Sequence, residues 1–210
     1  MRNHLLPYGI RYSVAYRTLA YARGLVQWHK RKFAAPSPDL VKQSCLLRNG
    51  VANAPWIETG TYLGTTTRML SKHSKMIYTV EPEPKLYSKA QQYFEHYINV
   101  KVISGKSEDV FPSLLPKING DINFWLDGHY SAGITYRGSK VTPILDELAC
   151  IGQHLSHFAK VTILIDDIRC FNPHLKEYAA YPSLDVLVDW ARQYGLRWYV
   201  EHDIFVMRNH

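Results

Sequence analysis

From Pro55 onward, short apolar runs alternate with stretches of helix length, and that alternation admits few folds. The runs are Trp56-Ile57-Glu58, Met76 to Val80, Val100 to Ile103, Ile122 to Leu126, Val161 to Ile165, Arg197 to Val200 and Ile204 to Met207. Between them the spacing predicts helices over Leu63 to Ser71, Pro84 to Tyr97, Ser107 to Leu115, about Val141 to Phe158, and Ser183 to Tyr194. Strands that alternate with helices form a parallel sheet covered on both faces. Val161-Thr162-Ile163-Leu164-Ile165 is β-branched and continuous, as a strand buried on both faces requires. The last two runs are separated by only His202-Asp203 at a tight turn, too little for a helical crossover, so their partners are antiparallel. The expectation is a doubly wound, mostly parallel, seven-stranded α/β sheet with an antiparallel last strand.

The first 38 residues are of another kind. They hold Arg2, Arg11, Arg17, Arg23, Lys30, Arg31 and Lys32 and no acidic residue, so the formal charge of +7 belongs to them and the rest is balanced. Residues 9–32 read as a helix with Ile10, Val14, Tyr21, Leu25 and Trp28 on one stripe. Ala34-Ala35-Pro36-Ser37-Pro38 breaks it, and Asp39 caps a short helix through about Leu47. This divides the chain into a basic helical arm, 1–38, and a main domain, 39–210. The arm has two uses open to it: packing on the domain or a twin subunit in a homo-oligomer, or peripheral contact with an anionic membrane. The neutral domain offers no basic track for nucleic acid, so none is expected as partner. Cys45, Cys150 and Cys170 show no CxxC spacing, which fits neither a disulfide framework nor a zinc knuckle. A reducing, cytoplasmic setting is the default expectation.

In a doubly wound sheet, ligands sit beyond the carboxyl ends of the strands. The first strand ends on Glu58 and runs into Thr59-Gly60-Thr61-Tyr62-Leu63-Gly64-Thr65. Glycines there allow a tight turn and close backbone approach. The helix that follows offers N–H groups to an anion. The second strand ends on Glu81, about 20 residues beyond Gly60, where a carboxylate accepts hydrogen bonds from ribose hydroxyls. These features alone fit a nicotinamide dinucleotide or S-adenosylmethionine. The loop lacks the Gly-x-Gly-x-x-Gly of a pyrophosphate site. Glu58 would oppose a pyrophosphate and suit a sulfonium and an ammonium.

The Glu-x-Gly-x-x-x-Gly turn, the acid ending strand two and the antiparallel last strand resemble the class I S-adenosylmethionine-dependent methyltransferases, with their Rossmann-like sheet. The resemblance implies that Gly60 and Gly64 lie under the methionine part, that Glu58 and Thr59 stand nearby, that Thr65 meets its carboxylate, that Glu81 holds the ribose, and that Ser107 in Ser104-Gly105-Lys106-Ser107-Glu108 faces adenine. Strand four ends in Asp127-Gly128-His129-Tyr130-Ser131 and strand five in Asp166-Asp167. Three carboxylates at neighbouring strand ends, without a nearby basic residue, repel one another, and a hard divalent cation such as Mg²⁺ relieves that. This arrangement is similar to the metal-dependent, macrocin-type O-methyltransferases of sugars and natural products. Their strand-four motif is one residue longer, which shifts the alignment of His129. The resemblance implies a metal on Asp127, Asp166 and Asp167, and a small-molecule hydroxyl acceptor, a sugar or glycosylated natural product. Asp127 also stands at the cofactor edge. His129 would remove the acceptor proton at neutral pH.

Tyr130, Tyr136, Arg137 and Lys140 in the long loop after strand four are candidates to close over the acceptor. Residues 169–182, with Arg169, His174 and Tyr178, form a second candidate wall. The rival reading is a binding protein on a methyltransferase-like fold that uses its arm on membrane or nucleic acid; nicotinamide redox chemistry is the third.

Overall fold

The structure, a computed structural model, describes residues 14–127 and 142–210. The arm helix α1 runs Val14–Lys30 and α2 runs Asp39–Asn49. Strand β1 (Trp56–Thr59) leads into α3 (Thr65–Leu70), β2 (Ile77–Glu81) into α4 (Pro84–Phe94), and β3 (Val100–Ser104) into α5 (Ser107–Leu114). Strand β4 (Gly120–Leu126) precedes α6 (Ile144–His154), and β5 (Phe158–Ile165) precedes α7 (Leu184–Gln193). The chain closes with β6 (Arg197–Glu201) and β7 (Ile204–Arg208).

The seven strands lie in the order β3-β2-β1-β4-β5-β7-β6. Strands β1 to β5 pair in parallel; β7 is antiparallel to β5 and to β6. The expected mostly parallel sheet with an antiparallel last strand is what forms. The β6–β7 turn is the two-residue kind: His202 and Asp203 both adopt positive φ, 50° and 69°, whose twist matches the flanking strands.

Side chains alternate between two cores. From β4, Ile122, Phe124 and Leu126 enter the core that α5, α6 and α7 cover, with Phe111, Leu148, Ile151 and Leu187. Trp125 of β4 and Leu164 of β5 point the other way, to Leu46 of α2 and Leu70 of α3. Both faces are buried, which is why these strands read as continuous apolar runs.

Three local expectations shift. The helix anticipated over 141–158 begins at Ile144 and ends at His154; a short 3₁₀ turn follows, and Phe158 already belongs to β5, three residues before the apolar run begins. There Ala159 and Lys160 are exposed, so the strand start lacks an apolar signature. Helix α3 is shorter than anticipated, because the turn before it holds residues 60–64 outside the helix. The arm stripe is also not as read: Tyr21 and Trp28 are half-buried, whereas Val14 is 79% exposed. Ile10 lies outside the described residues.

Candidate active site at the strand ends

The sheet order reverses between β1 and β4, the switch point where doubly wound folds bind ligands. Register sets what meets there. Thr59 pairs with Val80 and with Leu126, and Leu126 pairs with Ile165. Glu81, Asp127 and Asp166 therefore emerge along one edge.

The turn after β1 is built on left-handed backbone. Gly60 and Gly64 have φ of 82° and 70°, and Tyr62, at 49°, shares that conformation despite its side chain. Gly60 N–H donates to Val80 O at 2.9 Å, and Gly64 N–H closes the turn on Thr61 O at 2.7 Å. Glu81 ties the turn down, its Oε2 accepting from Tyr62 N–H at 2.7 Å and its Oε1 from Glu83 N–H at 3.0 Å. Burial raises the Glu81 carboxyl above the usual range, against the pull of those two amides.

Glu58 lies beneath the turn, buried, and accepts a hydrogen bond from the Thr67 hydroxyl of α3. Burial pushes its carboxyl up to about 8, opposed by the Thr67 and Thr79 hydroxyls. Burial thus favours the neutral form of Glu58. Thr59 joins two strand ends, its hydroxyl oxygen accepting from Asp127 N–H at 3.2 Å. Thr65 is the first residue of α3 and is partly exposed.

Ser107 opens α5 but its hydroxyl is turned inward. It and the Thr59 hydroxyl approach the carboxyl of Glu147, a buried residue of α6 whose Oε1 has no hydrogen-bond partner among the described residues. Burial raises Glu147 to about 7. Sequence reading gave Glu147 no role; nothing in a helical pattern marks an acid whose neighbours are on other elements.

The β4–β5 edge departs most from expectation. Lys42 of α2 lays its ammonium between the two aspartates, 2.5 Å from Asp166 Oδ2 and 2.9 Å from Asp167 Oδ1. Arg169 donates to Asp167 at 2.6 Å and also to Asp203 in the β6–β7 turn. So the premise of carboxylates without a basic neighbour fails: Lys42 lies more than a hundred residues away in sequence, and only the packing of α2 brings it in. Burial opposes its charge, but Asp166, Asp167 and Asp127 raise Lys42 above an ordinary lysine. Burial and the charge of Asp127 push Asp166 up to about 8, against the attraction of Lys42. Asp167 takes a left-handed φ of 55°, a conformation aspartate adopts more readily than most non-glycine residues.

A resident Mg²⁺ does not fit this donor set. The ion needs several oxygens at about 2.0–2.1 Å in near-octahedral array. The Asp166 Oδ2 and Asp167 Oδ1 oxygens instead share one ammonium, whereas a metal on Asp127, Asp166 and Asp167 would need them turned to an ion. Among the described residues no group of three or more His, Cys, Asp or Glu side chains is arranged to hold a metal. The cleft beside the pair is narrow, about 10 Å³, and is lined by Leu126, Glu147, Asp166, Phe171 and Tyr181. Its aromatic side is firm: Phe171 and Tyr178 each meet Tyr181 edge-on, at centroid distances of 5.6 and 6.0 Å. His129, Tyr130, Tyr136, Arg137 and Lys140 lie outside the described residues. In the second wall, Arg169 is engaged by Asp167 and Asp203, and His174 is exposed.

No family model and no curated sequence matches the chain. Solved structures do match in shape. An O-methyltransferase from Bacillus cereus, solved with S-adenosylhomocysteine, is 18% identical, with 90% of each chain covered and a TM-score of 0.51. A putative methyltransferase from Streptococcus mutans, also with S-adenosylhomocysteine, is 15% identical over 83% of this chain and 98% of its own, with a TM-score of 0.52. The chain has the class I methyltransferase fold. The fold leaves the acceptor open: the 23S rRNA methyltransferase ErmE superposes with a TM-score of 0.51 at 11% identity, over 83% of this chain and 68% of its own.

Proposed function

We propose that the chain is an S-adenosylmethionine-dependent methyltransferase, and that it methylates a hydroxyl of a small-molecule acceptor, a sugar or glycosylated compound. The observation that carries the cofactor half is the left-handed Gly60–Gly64 turn closed onto Glu81 at the sheet's switch point. Each Glu81 oxygen accepts one amide N–H and keeps a lone pair for a ribose hydroxyl. Gly60 and Gly64 let a ligand approach the backbone, Thr65 stands where the methionine carboxylate would lie, and Ser107 begins the adenine side. Glu58 and Thr59 support the turn from below. The cofactor, when bound, supplies an electrophilic methyl group.

The chain's own part is to align and deprotonate the acceptor. Asp127, whose N–H donates to the Thr59 hydroxyl, follows β4 beside the turn, and His129, two residues on, takes the acceptor's proton. Lys42 and Arg169 hold Asp166 and Asp167 in place, so the edge keeps its shape without a metal, and the reading contains no metal step. Calorimetry with S-adenosylmethionine and S-adenosylhomocysteine tests the cofactor half: the wild type binds both, and Glu81→Ala binds neither well. Failure of the wild type to bind either overturns it. Transfer of a labelled methyl group to hydroxylated acceptors, retained in excess chelator, tests the rest.

A further inference from the structure

We propose that α1 docks the protein onto an anionic lipid surface. One face of this helix is committed to the domain. The Tyr21 hydroxyl donates to Gln43 Oε1 of α2 at 2.8 Å, and Trp28 meets His202 edge-on at 5.9 Å. Gly24 sits so close to Pro38 that a side chain there would touch it. With that face turned inward, the helical period puts Ala15, Leu19, Ala22 and Val26 together on the far side, at 4-3-4 spacing. All four are exposed, Leu19 by 71% and Val26 by 54%, and Phe33 beyond the helix is exposed by 59%. This is a second apolar seam, distinct from the Ile10–Trp28 stripe that the sequence suggested.

Charge selects the occupant. Arg23 and Lys30 border the seam, Arg31 and Lys32 follow it, all four exposed, and residues 1–38 contain no acid. A second copy would set two acid-free basic helices against each other with nothing to pair them. A nucleic acid would take the cations and leave the apolar seam in water. An anionic bilayer satisfies both, the seam entering the headgroup–acyl boundary and the cations meeting the phosphates. The helix lies on the surface, since none among the described residues is long and apolar enough to cross a membrane. Its Trp28 end touches the β6–β7 turn, whose Asp203 holds Arg169, so docking sets the strand-end cleft beside the lipid. The inference stands whether or not methyl transfer is the activity.

The test is sedimentation of the full-length protein with phosphatidylcholine vesicles, alone or with about 30% phosphatidylserine. The protein pellets with the anionic vesicles and not with the neutral ones. Leu19→Asp/Val26→Asp weakens that partition by about tenfold or more, because two inserting side chains are lost. Arg23→Glu/Lys30→Glu does the same. Thermal unfolding shows that both double variants remain folded. Three results overturn the proposal: no pelleting with anionic vesicles, pelleting of Leu19→Asp/Val26→Asp equal to wild type, or a dimer in light scattering that Leu19→Asp/Val26→Asp dissociates while vesicles are ignored. Binding to a single-stranded RNA in place of vesicles also refutes it.

Discussion

Replacing Lys42 with methionine removes the cation between Asp166 and Asp167 and keeps most of the side-chain volume. The ammonium lies 2.5 and 2.9 Å from the two carboxylates, with side chains 16%, 4% and 10% exposed for Lys42, Asp166 and Asp167. Deleting one partner of a buried pair costs about 3–5 kcal/mol. Arg169 still holds Asp167, so the expected loss is near the lower end, about 3 kcal/mol. For a chain of this length that corresponds to a melting temperature lower by roughly 6–12 °C. The deficit should be largest above about pH 8 and shrink as pH falls through that value, since burial and Asp127 push Asp166 up to about 8 and a protonated Asp166 no longer needs the cation. The same variant separates lysine from metal. In Lys42→Met the Asp166 oxygen is released while Arg169 keeps Asp167, and millimolar Mg²⁺ should restore stability, by about 2.7 kcal/mol at a hundredfold excess over its Kd. Wild type should gain almost nothing from Mg²⁺. Differential scanning fluorimetry with and without MgCl₂ reads both arms. A wild type stabilised by Mg²⁺ as strongly as the variant, or a variant that melts with wild type, would refute the reasoning.

Glu58 binds a proton more tightly folded than unfolded, so stability is fully present below about 4.5 and is lost as pH rises through the folded value of about 8. The full span is worth roughly 3–5 kcal/mol for a group this buried. Glu58→Gln should flatten that slope in urea titrations run from pH 5 to 9; an unchanged slope would count against burial as the cause. Gly64→Ala forces a side chain into left-handed backbone at φ 70° and should cost about 1–2 kcal/mol in chemical denaturation. A neutral result would mean the turn relaxes. Glu81→Gln, which keeps one acceptor for the Tyr62 or Glu83 amide, should lower S-adenosylhomocysteine affinity about tenfold in calorimetry, as expected when a charge-assisted ribose hydrogen bond becomes a neutral one. Full affinity would remove Glu81 from the proposed site.

Much of this site can be read from the chain because it is local. The glycine turn, Glu81 and the Asp166-Asp167 pair each sit where an apolar run stops, and a strand end is visible in sequence. Helix limits were less legible. The start of β5 is hidden because Ala159 and Lys160 are exposed within a paired strand, and the arm was assigned one apolar stripe where the helix in fact divides its apolar residues between two faces. Ser107 shows the limit differently: its position at a helix start was correctly anticipated, but its hydroxyl serves Glu147 on another helix.

By itself the sequence determined the strand count, the parallel sheet with its antiparallel end, and which residues crown each strand, since those follow from periodicity and from what interrupts it. The tertiary structure alone decided how the acids at that edge are neutralised. Periodicity says which face of α2 is buried; it does not say that Lys42, on the same face as Cys45, Leu46 and Asn49, reaches across to the end of β5. Coulomb attraction in a buried place depends on distance in space, and Lys42 is 2.5 Å from a carboxylate that the chain separates from it by more than a hundred residues.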